Sequence, residues 1–161
     1  RVPTLVLDNG DVLIESHAML DYLDSLVPAG RAMFPALEPA RHKALKLAAL
    51  ASGLADKAVS LFYEKRLHTE LSEVWVNRCQ SQIAAAMTAL EADRAGKTTR
   101  FWLNDDISHV DIVVTTALRF ITDAHPGLVS MAMYPALAAH TAMTEALPVF
   151  QEIQQEFIPP A

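Results

Sequence analysis

Two short groups of residues near the start of the chain have the side-chain types to hold a peptide-like ligand. Val2-Pro3-Thr4-Leu5 sets a proline ahead of a strand-like run, and Glu15-Ser16 sets an acid and a hydroxyl at the start of a helical pattern. A helix start offers free backbone amides and a partial positive charge, which together suit a carboxylate. Simpler roles exist for both groups. Ser16 can cap its own helix, and Pro3 can be an ordinary trans proline at the first residue of an edge strand.

Further along, Gly53, Asp56, Lys57, Ser60 and Tyr63 recur at helical spacing on one face. Leu47, Leu50, Leu54, Ala58, Leu61 and Phe62 occupy the opposite face. The polar stripe reads as a solvated helix face or as a surface for a second subunit. Gly53 costs a helix about 1 kcal/mol relative to alanine, which invites close approach by a ligand or a neighbouring helix. The single cysteine, Cys79, falls in an apolar stripe and reads as a packing residue rather than a nucleophile. The six histidines contain no i,i+4 pair of the kind that binds zinc, and no cysteine or carboxylate cluster completes a metal site. Asp105-Asp106 lies in a loop-like stretch, and adjacent side chains diverge. The sequence has no phosphate-cradling glycine loop and no nucleophile elbow.

The elements that position these residues follow from periodicity. Thr4-Leu5-Val6-Leu7 and Val12-Leu13-Ile14 are short apolar runs around Asp8-Asn9-Gly10-Asp11, and Asn-Gly favours the positive φ angles of a tight hairpin turn. From Ser16 the period lengthens to that of a helix, with Ala18, Met19, Tyr22, Leu23 and Leu26 on one apolar face and Val27-Pro28-Ala29-Gly30 ending it. A proline-rich linker follows. A long helix then runs from Pro39, suited to a first-turn position, to about Leu67. A second carries Leu71, Val74, Trp75, Cys79, Gln82, Ile83, Ala86, Met87 and Leu90 in one stripe and stops near Gly96. In Ile107-Ser108-His109-Val110-Asp111-Ile112, Ser108 and Asp111 form a capping box, and Ile107 and Ile112 stand where a hydrophobic staple requires them. A last helix spans Tyr134-Pro135 to Leu147, closed by Pro148. The expected class is α+β and mostly α, a β-hairpin plus helix followed by a helical bundle.

Composition narrows the partners. The 161 residues are 52% hydrophobic and 20% charged, the balance of a compact soluble protein. A formal net charge of −6 argues against nucleic acid or an anionic membrane surface, since both need a basic footprint. No apolar run approaches the roughly 20 residues that span a bilayer. One cysteine excludes an internal disulfide framework, and a cytoplasmic setting is expected.

In order, Val2-Pro3-Thr4-Leu5, Glu15-Ser16, Leu20-Asp21-Tyr22-Leu23, Trp102-Leu103, Ser108-x-x-Asp111-Ile112, Tyr134-Pro135-Ala136-Leu137 and Pro148-x-Phe150 resemble the glutathione transferase family, particularly its bacterial members. The resemblance implies a partial thioredoxin-like unit at 1–27, a linker at 28–38 and the all-helical C-terminal domain at 39–161. It implies that the preceding strand–helix–strand, with the catalytic Tyr, Ser or Cys, is expected upstream of Arg1. By the same resemblance, Pro3 is a cis proline that turns the Val2 backbone toward the cysteinyl part of glutathione. Glu15 and Ser16 hold the γ-glutamyl end, Glu15 accepting from the ammonium, and Arg1 reaches the glycyl carboxylate. The stripe of Gly53, Asp56, Lys57, Ser60 and Tyr63 becomes the wall for a small electrophile. The implied activity is conjugation of the glutathione thiol to that electrophile, with glutathione as co-substrate, no further cofactor and no metal. The chain is expected to form a homodimer. The alternative is a non-catalytic ligand-binding or assembly module of the same fold.

Overall fold

The computed structural model describes residues 3–160. Strands β1 (Thr4–Val6) and β2 (Val12–Ile14) pair antiparallel, Thr4 opposite Ile14 and Val6 opposite Val12. Gly10 takes a φ of 86°, as the Asn-Gly pair leads one to expect, but Asn9 does not follow it into positive φ. A longer turn closes the hairpin, with Gly10 N–H donating to the Leu7 carbonyl at 2.9 Å and Asp11 N–H to Asn9 Oδ1 at 2.9 Å. Side chains alternate across a strand, so Leu5 and Leu13 share the half-buried face while Val6, Val12 and Ile14 are exposed on the other.

Helix α1 (Ser16–Ser25) leads through a short 3-10 turn at Ala29–Arg31 into the bundle. The expected apolar face of α1 is not the one that packs. Met19 is buried, but Ala18, Leu23 and Leu26 are exposed. The face that meets the bundle is His17, Leu20 and Asp24, at i, i+3 and i+7. Polar contacts orient it. His17 Nε2 lies 2.6 Å from Ser52 Oγ, and Asp24 accepts from the Met33 and Phe34 N–H groups at 2.9 and 2.8 Å. His109 Nε2 lies 3.1 Å from the same carboxylate. Asp24 thereby ties the linker and the start of a bundle helix to α1, and Phe34 enters the core.

The bundle is built on α2 (Ala40–Leu67), which packs between α3 (Glu73–Ala95) and α4 (His109–Ala124). Ala44, Ala48, Ala51 and Ala58 are buried along α2, and their small side chains let the neighbouring helices approach closely around Leu47, Leu54 and Leu61. Pro39, joined to Glu38 by a cis bond, stands at the N-cap rather than in the first turn. In α3 the core side is Cys79, Ile83, Ala86, Met87 and Leu90, while Leu71 and Val74 of the expected stripe are exposed. Gly96 ends α3 with a right-handed φ of −79°.

Helix α5 (Pro135–Glu145) packs on α3 and α4. Its start is satisfied from another helix: Glu91 of α3 accepts from the Ala136 and Leu137 N–H groups, both at 2.9 Å. Pro148 does not close this helix. It opens a further one, α6 (Pro148–Ile153), where a missing N–H costs nothing. No helix among the described residues is long and apolar enough to cross a membrane.

The capping box forms as read. Ser108 N–H and Oγ–H donate to Asp111 Oδ2 at 2.8 and 2.5 Å, and the fully buried Asp111 also accepts from Trp102 N–H at 2.7 Å. His140 Nε2 lies 3.2 Å from Asp111 Oδ1, and Arg94 Nε donates to His140 Nδ1 at 3.2 Å. Guanidinium can only donate, so Nδ1 is the acceptor and the imidazole proton sits on Nε2, beside the carboxylate. Burial opposes ionisation of Asp111, but the bonds from His140, Ser108 and Trp102 outweigh it and hold its pKa below the usual carboxylate value.

Candidate functional site

The start of α1 is unusual. Glu15 occupies the N-cap with a φ of 71° and a ψ of 121°, the only positive φ of a non-glycine residue among those described, and its side chain makes no capping hydrogen bond to the helix. Such a conformation costs of order 1–3 kcal/mol and persists only where the surroundings over-determine it. Ser16 stands one position inside the helix. It is therefore not the N-cap, which removes the simpler role for its hydroxyl. The first-turn amides keep their donor capacity for solvent or an anionic group.

Ser16 also lines an open cavity of about 350 Å³ to which three helices contribute. Leu20 joins it from α1, Ser52, Ala55 and Asp56 from α2, and Ile112, Val113, Thr116, Ala117 and Phe120 from α4. The volume lies toward the small end of small-molecule sites. Asp56 supplies the one formally charged side chain on its wall. The contact between His17 and Ser52 sits beside Ser16 and fixes α1 against α2 at the rim.

The polar stripe of α2 divides. Asp56 faces this cavity, whereas Lys57 Nζ lies 5.4 Å from the ring centre of Trp75 on α3, a cation–π arrangement. Tyr63 is exposed and packs edge-on to Phe62 with ring centres 5.6 Å apart, and Ser60 is half-buried. A Cβ on Gly53 would meet nothing within 4 Å, so no neighbouring helix presses on it, contrary to one reason for its presence. Pro3 is exposed. Arg1 and Val2, and with Val2 the geometry of the Val2–Pro3 bond, lie outside the described residues. Among the described residues no group of three or more His, Cys, Asp or Glu could hold a metal ion.

Sequence reasoning passed over Ser52, Ala55, Thr116 and Phe120. Ser52 and Thr116 carry a usable signal, each a small polar residue four positions from another cavity residue, Asp56 and Phe120 respectively. Ala55 carries none.

A family model for the glutathione S-transferase C-terminal domain matches residues 73–142, from the start of α3 through most of α5. The structure is similar to that of a glutathione transferase family member from Pseudomonas fluorescens Pf-5 with bound S-(propanoic acid)-glutathione. The two share 32% identity over 94% of this chain and 76% of that one, with a TM-score of 0.83. The chain belongs to the glutathione S-transferase family. A second structure described as a Pseudomonas fluorescens Pf-5 transferase family member, with bound glutathione, is 30% identical over all of this chain and 75% of that one, with a TM-score of 0.82. A transferase from Methylobacillus flagellatus KT with glutathione bound has the same fold at 24% identity, covering 94% and 74% with a TM-score of 0.86. No curated protein sequence matches the chain. The hairpin and α1 are the partial thioredoxin-like portion of the transferase fold, and α2–α6 are its helical bundle.

Proposed function

We propose that this protein conjugates glutathione to a small electrophile. In the step, the glutathione thiol gives up its proton and the thiolate sulfur attacks an electrophilic carbon. An S–C bond forms, and the displaced group leaves with its bonding pair. The protein contributes by binding and orienting the two reactants, which converts a bimolecular encounter into a pre-aligned one. The thiol-activating group is assigned to no residue of the chain.

The observation that carries this reading is the start of α1. An uncapped helix N-terminus, reached through a strained Glu15, presents Ser16 at the edge of a cavity. In the proposal the γ-glutamyl carboxylate rests on the first-turn amides and the Ser16 hydroxyl, Glu15 accepts from the ammonium, and a cis bond to Pro3 turns the Val2 backbone N–H and C=O toward the cysteinyl part. Arg1 reaches the glycyl carboxylate. The electrophile occupies the cavity floored by α4, with Asp56 as its polar wall. Residues 1–27 then act as a glutathione-binding portion, 28–38 as linker and 39–161 as the helical domain. A homodimer through α2 and α3 is part of the proposal, supported by exposed Val59, Tyr63 and Val74 on those helices, as is a cytoplasmic setting.

The test is thioether formation by the full-length protein from glutathione and an aromatic chloride activated by nitro groups. The expected result is saturable turnover in both reactants. Tight glutathione binding with no thioether above the uncatalysed rate would contradict conjugation and favour a ligand-binding module.

A further inference from the structure

A second cavity, of about 700 Å³, opens between the C-terminal end of α2, the middle of α3 and the loop after α4. It shares no residue with the cavity beside Ser16. Its charge is one-sided: Lys65 lines it and no carboxylate does, in a protein whose net charge is −6. Ile83, Leu128 and Val129 give it an apolar side.

His125 makes this more than a surface depression. Its side chain is almost fully enclosed, at 6% exposure, and its Nε2 lies 2.8 Å from the Ala58 carbonyl oxygen of α2. A carbonyl only accepts, so Nε2 carries the proton and Nδ1 is left as a lone-pair acceptor. Among the described residues nothing donates to that Nδ1. The Phe62 ring, edge-on at 6.1 Å, holds the imidazole in place. At the wall of the cavity, Nδ1 is an acceptor that a ligand hydroxyl can take in place of water. Lys65 follows Ala58 by seven residues, which returns it to the same face of α2 about 10 Å further along the axis. The carbonyl that anchors His125 and the Lys65 position are thus two helical turns apart along one side of α2.

We propose that this cavity is a second binding site, for a small organic anion that carries a hydroxyl at the end opposite its carboxylate. The carboxylate pairs with Lys65, the hydroxyl donates to His125 Nδ1, and the apolar body lies against Ile83, Leu128 and Val129. The site is separate from the glutathione site and survives if the conjugation reading fails.

The experiment titrates the full chain with 4-hydroxybenzoate by calorimetry, and follows the His125 ring nitrogens by NMR. Saturable binding that shifts Nδ1 and persists in excess glutathione is expected. Benzoate, which lacks the donor, should bind about fivefold more weakly, the effect of one hydrogen bond. The exposed-site variant Lys65→Gln, which leaves the fold intact, should weaken binding by roughly fivefold or more. The proposal is overturned by any of four results: no saturation, equal affinity for benzoate, unchanged affinity in Lys65→Gln, or displacement by glutathione.

Discussion

His17 Nε2 lies 2.6 Å from Ser52 Oγ, joining the first turn of α1 to the middle of α2 one residue from Ser16. Any group held by the α1 N-terminus is therefore registered against the bundle through this contact. Replacing Ser52 by alanine removes it with little change in volume. We expect a stability loss of about 1 kcal/mol in urea unfolding, and a several-fold loss of glutathione affinity as α1 loosens. Unchanged affinity at reduced stability would confine the contact to folding.

Gly53 lies in the interior of α2, and a Cβ there would meet nothing within 4 Å. Its φ is not positive, so alanine fits the backbone. Gly53→Ala should raise stability by about 0.5–1 kcal/mol through helix propensity and reduced freedom of the unfolded chain. Thermal melting reads this directly. A fall in melting temperature would show that the position is occupied in the folded protein.

Acid should dissolve the fold through two carboxylates. Burial disfavours the charged form of Asp24, yet the Met33 and Phe34 N–H groups and His109 outweigh it, so its pKa lies below the ordinary value, as does that of Asp111. A folded-state pKa below the unfolded one means that the native protein stays ionised while the unfolded chain takes up protons. The stabilisation is complete above the unfolded carboxylate value of about 4 and is lost as pH falls below it toward the folded values. Unfolding free energy measured from pH 6 to pH 2.5 should fall steeply below about pH 4 in the parent. The slope should be shallower in Asp24→Asn, where the proton-linked difference at that site is gone. Equal slopes would contradict the assignment.

Much of this was legible beforehand, for physical reasons. Ser108 and Asp111 announce a helix start because the capping box is local, needing only four residues and no tertiary partner. The hairpin at Gly10 is local in the same sense. What escaped was decided by long-range polar contacts. Leu23 and Leu26 look like the packing side of α1, but Asp24 and His17 turn the helix so that they stay exposed. The Glu91 cap on α5 joins residues some 45 positions apart, so no local pattern encodes it. At the candidate site Asp56 was read from helical spacing, but Lys57, its neighbour in that stripe, turns to Trp75 because an adjacent residue lies about 100° around the helix.

Ser16 is the residue on which the functional account turns, because it lies inside the first turn of α1 and on the cavity wall while capping nothing. The most direct test is calorimetric titration of glutathione into the parent and Ser16→Ala proteins, with urea unfolding of both in parallel. The account predicts an affinity loss of about tenfold or more, the value of a hydrogen bond to a charged group, with unfolding free energy within about 0.5 kcal/mol of the parent. Equal glutathione affinity in the two proteins would contradict it.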